Sequence, residues 1–260
     1  MMHAHTSVIA FLTVLMAAAP LRITPVAPSS MRASGRAPAS AISIRADTVR
    51  AGQCSSAAVE HPDTADAWVR VAMDWSRQVP GAWSNDSLRN ELLALGKADQ
   101  DARKGITPEK LKDTAFVRRL TLGDSVRSVR MSAILDHYGW PGKSMVGVAG
   151  EAAAFLLVQH GATLGPRGLS LMQSAKPGEV SRADLALVID RQRTNSGRPQ
   201  IYGSQLDFGH SDVLRFFPIE DPLHVDERRA AVGLPPLRPY ACMIATMSSS
   251  GVVMPDGVAR

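Results

Sequence analysis

Aromatic residues are scarce in this chain: six Phe, four Trp and three Tyr among 260 residues. Cysteine is scarcer still. Two cysteines exclude a disulfide-dense scaffold and any zinc module built from several thiolates. No apolar run reaches the roughly 18 residues that a membrane-spanning helix requires. The familiar signatures of phosphate and dinucleotide binding are missing, with no P-loop and no G-x-G-x-x-G after a strand. G-x-S-x-G and H-E-x-x-H are missing as well. The seven histidines, at 3, 5, 61, 137, 160, 210 and 224, show none of the usual metal-ligand spacings, so neither a metal nor a cofactor is expected.

What is present is a hydrophobic fraction of 45%, too high for a disordered chain and enough for one ordinary core. The net charge of +5 invites a nucleic-acid reading. Its distribution argues against one. Residues 1–53 hold five arginines against Asp47 alone, and the rest of the chain is close to neutral. That part has no basic stripe with interleaved aromatics, so no nucleic-acid partner is expected.

Residues 7–19, SVIAFLTVLMAAA, have the length and small-residue ending of a signal-peptide h-region, although the preceding MMHAHT lacks Lys and Arg. Residues 1–19 therefore read as an export leader, and the protein as periplasmic or secreted. An uncleaved anchor is the competing reading. Residues 20–61 are rich in Pro, Ser, Ala and Arg and read as a disordered linker. Cys54 and Cys242 could pair in an exported protein, but neither sits in a recognisable framework and unpaired thiols are preferred.

Residues 62–245 read as one helical domain, with no membrane span, and residues 246–260 as a loose tail. Asp63 or Thr64 can cap a first helix that runs to Trp75. Leu88, Leu92 and Leu95 form a stripe in a helix over 86–104. Thr107-Pro108-Glu109 opens a short one. Further helices are predicted over 124–138, 144–160 and 182–196, with a turn at 166–173 and a last short helix between Pro222 and Val232. The 144–160 segment is apolar nearly all round and is the expected centre of the domain. Residues 200–205 and 213–217 read as short strands, a small late β-hairpin. The fold class is mainly α, with about five to seven helices.

Several polar residues are candidates for chemistry. His160 ends the most apolar segment, next to Gln159, and an imidazole beside a carboxylate can move protons near neutrality. A histidine at a helix C-terminus also simply suits the helix dipole. Gln200, Tyr202 and Ser204 would share one face of a strand and suit a polar ligand, while Gln205 would point away unless Gly203 makes a bulge. Glu220 and Asp221 lie between prolines and could orient a histidine or cap a helix. Asp190-Arg191 sits on one helix and Asp99, Gln100 and Arg103 on another. Asp99 and Arg103, four apart, suit a surface ion pair. Gln100 and Arg103 could reach inward.

The order of short motifs resembles a bacterial family of uncharacterised proteins, a domain of unknown function. The motifs are Asp99-Gln100-x-x-Arg103, Gly139-Trp140-Pro141, Val158-Gln159-His160, Asp190-Arg191, Gln200-x-Tyr202-Gly203-Ser204-Gln205 and Pro218-Ile219-Glu220-Asp221-Pro222. They cover about residues 85–240. Ser204 stands where the family pattern has Thr, and His137 is displaced by one position from its place before Gly-Trp-Pro. The resemblance implies a helical domain and no established activity. It groups Gln100, Arg103, Gln159, His160, Asp190, Arg191, Gln200, Tyr202 and Gln205 as one cluster.

Two functions remain open. One is a hydrolase or transferase acting on a polar small molecule or peptide. His160 would be its general acid or base, Asp190 or Glu220 would orient the ring, and Arg103 or Arg191 would hold an oxyanion. The other is a non-catalytic binding or interaction module in which the same polar cluster is structural.

Overall fold

The computed structural model describes residues 47–54, 83–207 and 213–258. The export leader and the helix expected before Trp75 lie outside these residues. The described chain is mainly helical, with eight α-helices and a four-stranded sheet.

Helix α1 (Asp86–Arg103) starts where the Asn85 side chain accepts the Leu88 amide at 2.9 Å, the usual device for satisfying a first-turn donor. Its buried face runs Leu88, Leu92, Gly96, Asp99 and Arg103. A single helical stripe thus begins with leucines and ends with an ion pair. α2 (Pro108–Lys112) is capped by Thr107. α3 (Thr114–Tyr138) begins ten residues earlier than the expected Asp124. The Asp113 carboxylate accepts from the amides of Ala115 and Phe116 and sets the start, and Gly123 is carried inside the helix rather than breaking it.

α4 (Lys143–His160) is the central helix, as its composition predicts. It is bent at Gly147, where φ is 70°, and nearly every residue from Gly150 to His160 is buried. It crosses α1 closely: a Cβ on Gly96 would stand 2.9 Å from the Cβ of Ala153. α5 (Gly165–Ser174) is a full helix where only a turn was expected. α6 (Arg182–Asn195) follows the Ser181 cap. Leu92, Met131, Ile134, Leu135, Leu157 and Leu187, from α1, α3, α4 and α6, meet in the main core.

The second core lies between a sheet and the last helix, α8 (Leu237–Ser248). Strands β1 (Thr48–Val49), β2 (Leu206–Asp207), β3 (Val213–Phe216) and β4 (Gly251–Val253) are ordered β1-β4-β3-β2. β2 and β3 form the expected hairpin, antiparallel with Leu206 opposite Phe216. The first strand starts at 206 rather than 200. β4 pairs parallel with β3 and antiparallel with β1. A short 3-10 turn (Pro222–His224) leads into α7 (Val225–Ala231).

Two expectations are corrected here. Thr48–Val49, assigned to the disordered linker, form an edge strand. Residues 246–258, assigned to a loose tail, finish α8 (Leu237–Ser248) and supply β4. The reason is visible in α8: Leu237, Tyr240, Ala241, Ile244, Ala245 and Ser248 are all buried, a regular amphipathic stripe. Pro239 falls in the first turn, where a missing N–H is harmless.

Candidate active site around Asp99 and His160

α1 and α4 bring Asp99 and His160 together across 61 residues of chain. His160 Nδ1 lies 2.8 Å from Asp99 Oδ2, and both side chains are almost wholly buried. Gln100 Nε2 donates to the same oxygen at 2.8 Å. Arg103 Nη1 donates to Asp99 Oδ1 at 2.7 Å. Arg103 Nη2 then spans both oxygens of Asp124 on α3, at 2.9 and 2.8 Å, and Arg127 Nη2 closes on Asp124 Oδ1 at 2.6 Å. The result is one continuous chain, His160–Asp99–Arg103–Asp124–Arg127. The Asp99–Arg103 pair, expected on a surface, is buried because it continues the leucine stripe of α1.

The electrostatics assign the charges. Burial pushes the Asp99 carboxyl up, but the hydrogen bond and charge of His160, the Arg103 guanidinium and the Gln100 amide outweigh it and leave Asp99 below its ordinary value. Burial lowers the His160 imidazole. The Asp99 hydrogen bond and charge work against this, the nearby Arg103 and Arg191 charges work with it, and the net direction is down. Near neutrality the pair is a carboxylate and a neutral ring. A carboxylate can only accept, so Nδ1 carries the proton and Nε2 is the basic atom.

His160 also lines a cleft of about 480 Å³ beside α3. Its wall carries hydroxyls from Thr121, Ser125, Ser128, Ser132 and Thr163 and carboxylates from Asp124 and Asp136. Ser128 Oγ donates to the Asp124 backbone carbonyl at 2.7 Å. A fixed acid-base pair buried just behind the wall of a hydroxyl-rich cleft is an arrangement that can act on a polar molecule bound there once the ring is reached.

The other candidate residues are placed as follows. Gln159 is buried beside His160, and among the described residues neither amide atom has a hydrogen-bond partner. Arg191, on α6, is partly buried within electrostatic reach of His160 and Arg103. Asp190 faces away from this group. Its two oxygens accept the amides of Ile201 (2.7 Å), Tyr202 (3.0 Å) and Ser204 (2.9 Å).

The 200–205 segment is a loop held from all sides rather than a strand presenting side chains. Gln200 Nε2 donates to the carbonyls of Gln205 and Phe217, and Gln200 Oε1 accepts the Gln205 amide. Gln205 Nε2 donates to Ser204 Oγ. Buried Arg229 donates to the carbonyls of Tyr202 and Gly203, and Tyr240 donates to that of Ser204. Gly203 takes φ of 64°, and a Cβ there would meet Ile219 at 2.7 Å. Glu220 is exposed and bonded to Arg193. The carboxylate on His160 is thus Asp99, not Asp190 or Glu220. The orienting partner that sequence reasoning passed over lay in the Asp99-Gln100-x-x-Arg103 motif.

Other features bear on class. Among the described residues no three His, Cys, Asp or Glu side chains are grouped to hold a metal ion, and no helix is long and apolar enough to cross a membrane. Cys54 Sγ lies 3.6 Å from the Cys242 carbonyl, and the two cysteines are unpaired.

The fold and site define a mainly helical domain with an internal polar network beneath a cleft. Residues 86–250 match a family of unknown function, DUF6624, and the chain belongs to that family. No curated protein and no solved structure matches the chain.

Proposed function

We propose that this domain is a hydrolase or transferase that uses His160 as general acid and base on a polar substrate bound in the α3 cleft. The observation that carries the reading is the 2.8 Å Asp99–His160 contact, buried directly behind the wall of that cleft, which His160 helps to line. Asp99 fixes the ring orientation and tautomer and stabilises the imidazolium formed when Nε2 takes a proton. Arg103 holds Asp99 ionised and ties it to α3 through Asp124. The hydroxyls of Ser125, Ser128 and Ser132 offer hydrogen bonds to a polyol, an amide or a peptide backbone. The signal-like leader supports an exported protein.

The competing reading is a binding module in which the network only locks helices together. It is favoured by how fully Arg103 pairs, with Asp99 on one side and Asp124 on the other. A panel of aryl esters, amides, glycosides and phosphate esters, run with wild type and His160→Gln, separates the two. The enzyme reading predicts turnover of one class and at least a roughly hundredfold loss in the variant. Turnover untouched by the substitution, or no turnover in any class with a lowered melting temperature in the variant, contradicts it.

A further inference from the structure

The outer face of α3 carries a pattern that neither the core nor the acid-base pair uses. Leu122, Val126 and Val129 are the three most exposed large apolar side chains among the described residues, at 64%, 65% and 75%. They follow one another at i, i+4 and i+7, and exposed Ala133 continues the row four residues on. Steps of four, three and four mark the seam of a coiled coil. The buried apolar residues of α3, Leu120, Met131, Ile134 and Leu135, lie on the opposite side of the helix. Single exposed apolar residues are ordinary on a protein surface, whereas a contiguous row of them points to a partner.

The charges at the two ends of the row say which partner. Arg119 stands one seam step before Leu122, and Asp136 one step after Ala133, and both are exposed. In two antiparallel helices, each residue of the seam packs in a layer with its counterpart counted from the other end. Such layers set Val126 against the partner's Val129, Leu122 against the partner's Ala133, and Arg119 against the partner's Asp136. Every apolar layer is then closed by an apolar residue and each end by opposite charges. A parallel pair in register would set Arg119 on Arg119 and Asp136 on Asp136, which repel. Asp136 also meets the exposed Arg167 at 2.6 Å. One carboxylate can serve two guanidinium groups, as Asp124 does between Arg103 and Arg127.

We propose that α3 pairs antiparallel with α3 of a second copy of this chain along Arg119, Leu122, Val126, Val129, Ala133 and Asp136. The interface is isologous, the same stripe meeting itself across a two-fold axis. From Arg119 to Asp136 the seam is about 26 Å long at 1.5 Å per residue. That is short, so the dimer belongs with the small, transient interfaces and fills at high protein concentration. Val129, Ala133 and Asp136 also line the cleft at His160, so the partner's helix runs along the rim of that cleft. The pairing does not depend on the acid-base reading of His160.

The test is sedimentation velocity of the full chain at about 5 and about 200 μM, for wild type, Val126→Glu, Arg119→Asp, Asp136→Arg and the double variant Arg119→Asp/Asp136→Arg. The wild type is expected to move from the monomer towards twice the monomer mass between the two concentrations. Val126→Glu stays monomeric at both, and its Tm at the lower concentration lies within about 1 °C of wild type, because the side chain is exposed in the monomer. Each single charge reversal weakens dimerisation at least about fivefold, and the double variant restores it. A wild type that is monomeric at both concentrations overturns the proposal and leaves the row to another segment of this chain or to a different protein. A dimer that survives Val126→Glu places the interface elsewhere and overturns it too. A dimer lost in Val126→Glu but not rescued in the double variant overturns the antiparallel register.

Discussion

Asp99 and Arg103 show how one spacing supports two outcomes. Four residues apart on a helix, an acid and a base fit an exposed pair worth a few tenths of a kcal/mol. The buried stripe of α1 turns them inward instead. The signal was available, since Leu88 and Leu92 point along the same line, but Leu95 draws the eye to a neighbouring face and Gly96 hides the true one. His160 was legible as a candidate because a polar ring ends an apolar helix. Its carboxylate was not, because the pairing joins residues 61 apart and no local pattern encodes it. Asp190 is equally conspicuous in the sequence, yet its oxygens cap a loop. Nothing along the chain separates a carboxylate that serves backbone amides from one that serves an imidazole.

Helices α1 and α4 carry the site, and their crossing sets its geometry. Gly96 permits the approach, since an added methyl would stand 2.9 Å from the Ala153 Cβ. On intrinsic propensity Gly96→Ala should stabilise α1 by about 1 kcal/mol. At this contact the neighbour is a Cβ fixed to the α4 backbone and cannot swing aside, so the helices must separate. The expected outcome in urea unfolding is a net loss of about 1–3 kcal/mol, and a gain would show the crossing to be looser than described. Side-chain caps set three helix starts, α1 at Asn85, α2 at Thr107 and α6 at Ser181, and the Thr107-Pro108-Glu109 start was legible in the sequence. The end of α8 and β4 were hidden because the Ser-rich stretch after Ala245 reads as loop, whereas burial against the sheet decides their structure. Tertiary packing overrides local composition there.

Across the whole molecule a second polar group bears on stability. Burial raises the Glu151 carboxyl on α4, the Asp184 charge adds to the rise, and Lys143 opposes it, with a net shift to about 8. Burial likewise raises Asp184 on α6 to about 7, again opposed by Lys143. Both folded-state values lie above those of an unfolded chain, near 4. The native state therefore holds protons that the unfolded chain has released. That stability is fully present below about pH 4 and is lost as pH rises through about 7 to 8. The unfolding free energy should fall across that window, and Glu151→Gln, neutral and nearly isosteric, should flatten the fall. An unchanged slope in the variant would place the titration elsewhere.

The account turns on one ring held neutral, with its proton on Nδ1, by an ionised Asp99. Long-range ¹H–¹⁵N correlation spectra of His160, recorded from about pH 5 to 8 on the full chain, read the tautomer and the charge directly. The predicted result is a neutral Nδ1–H imidazole at neutral pH that titrates below the ordinary histidine value, about 6.5. In Asp99→Asn that tautomer preference should weaken and the titration should move lower still. An imidazolium at neutral pH, or an Nε2–H tautomer in the wild type, would contradict the assignment of Nε2 as the proton acceptor.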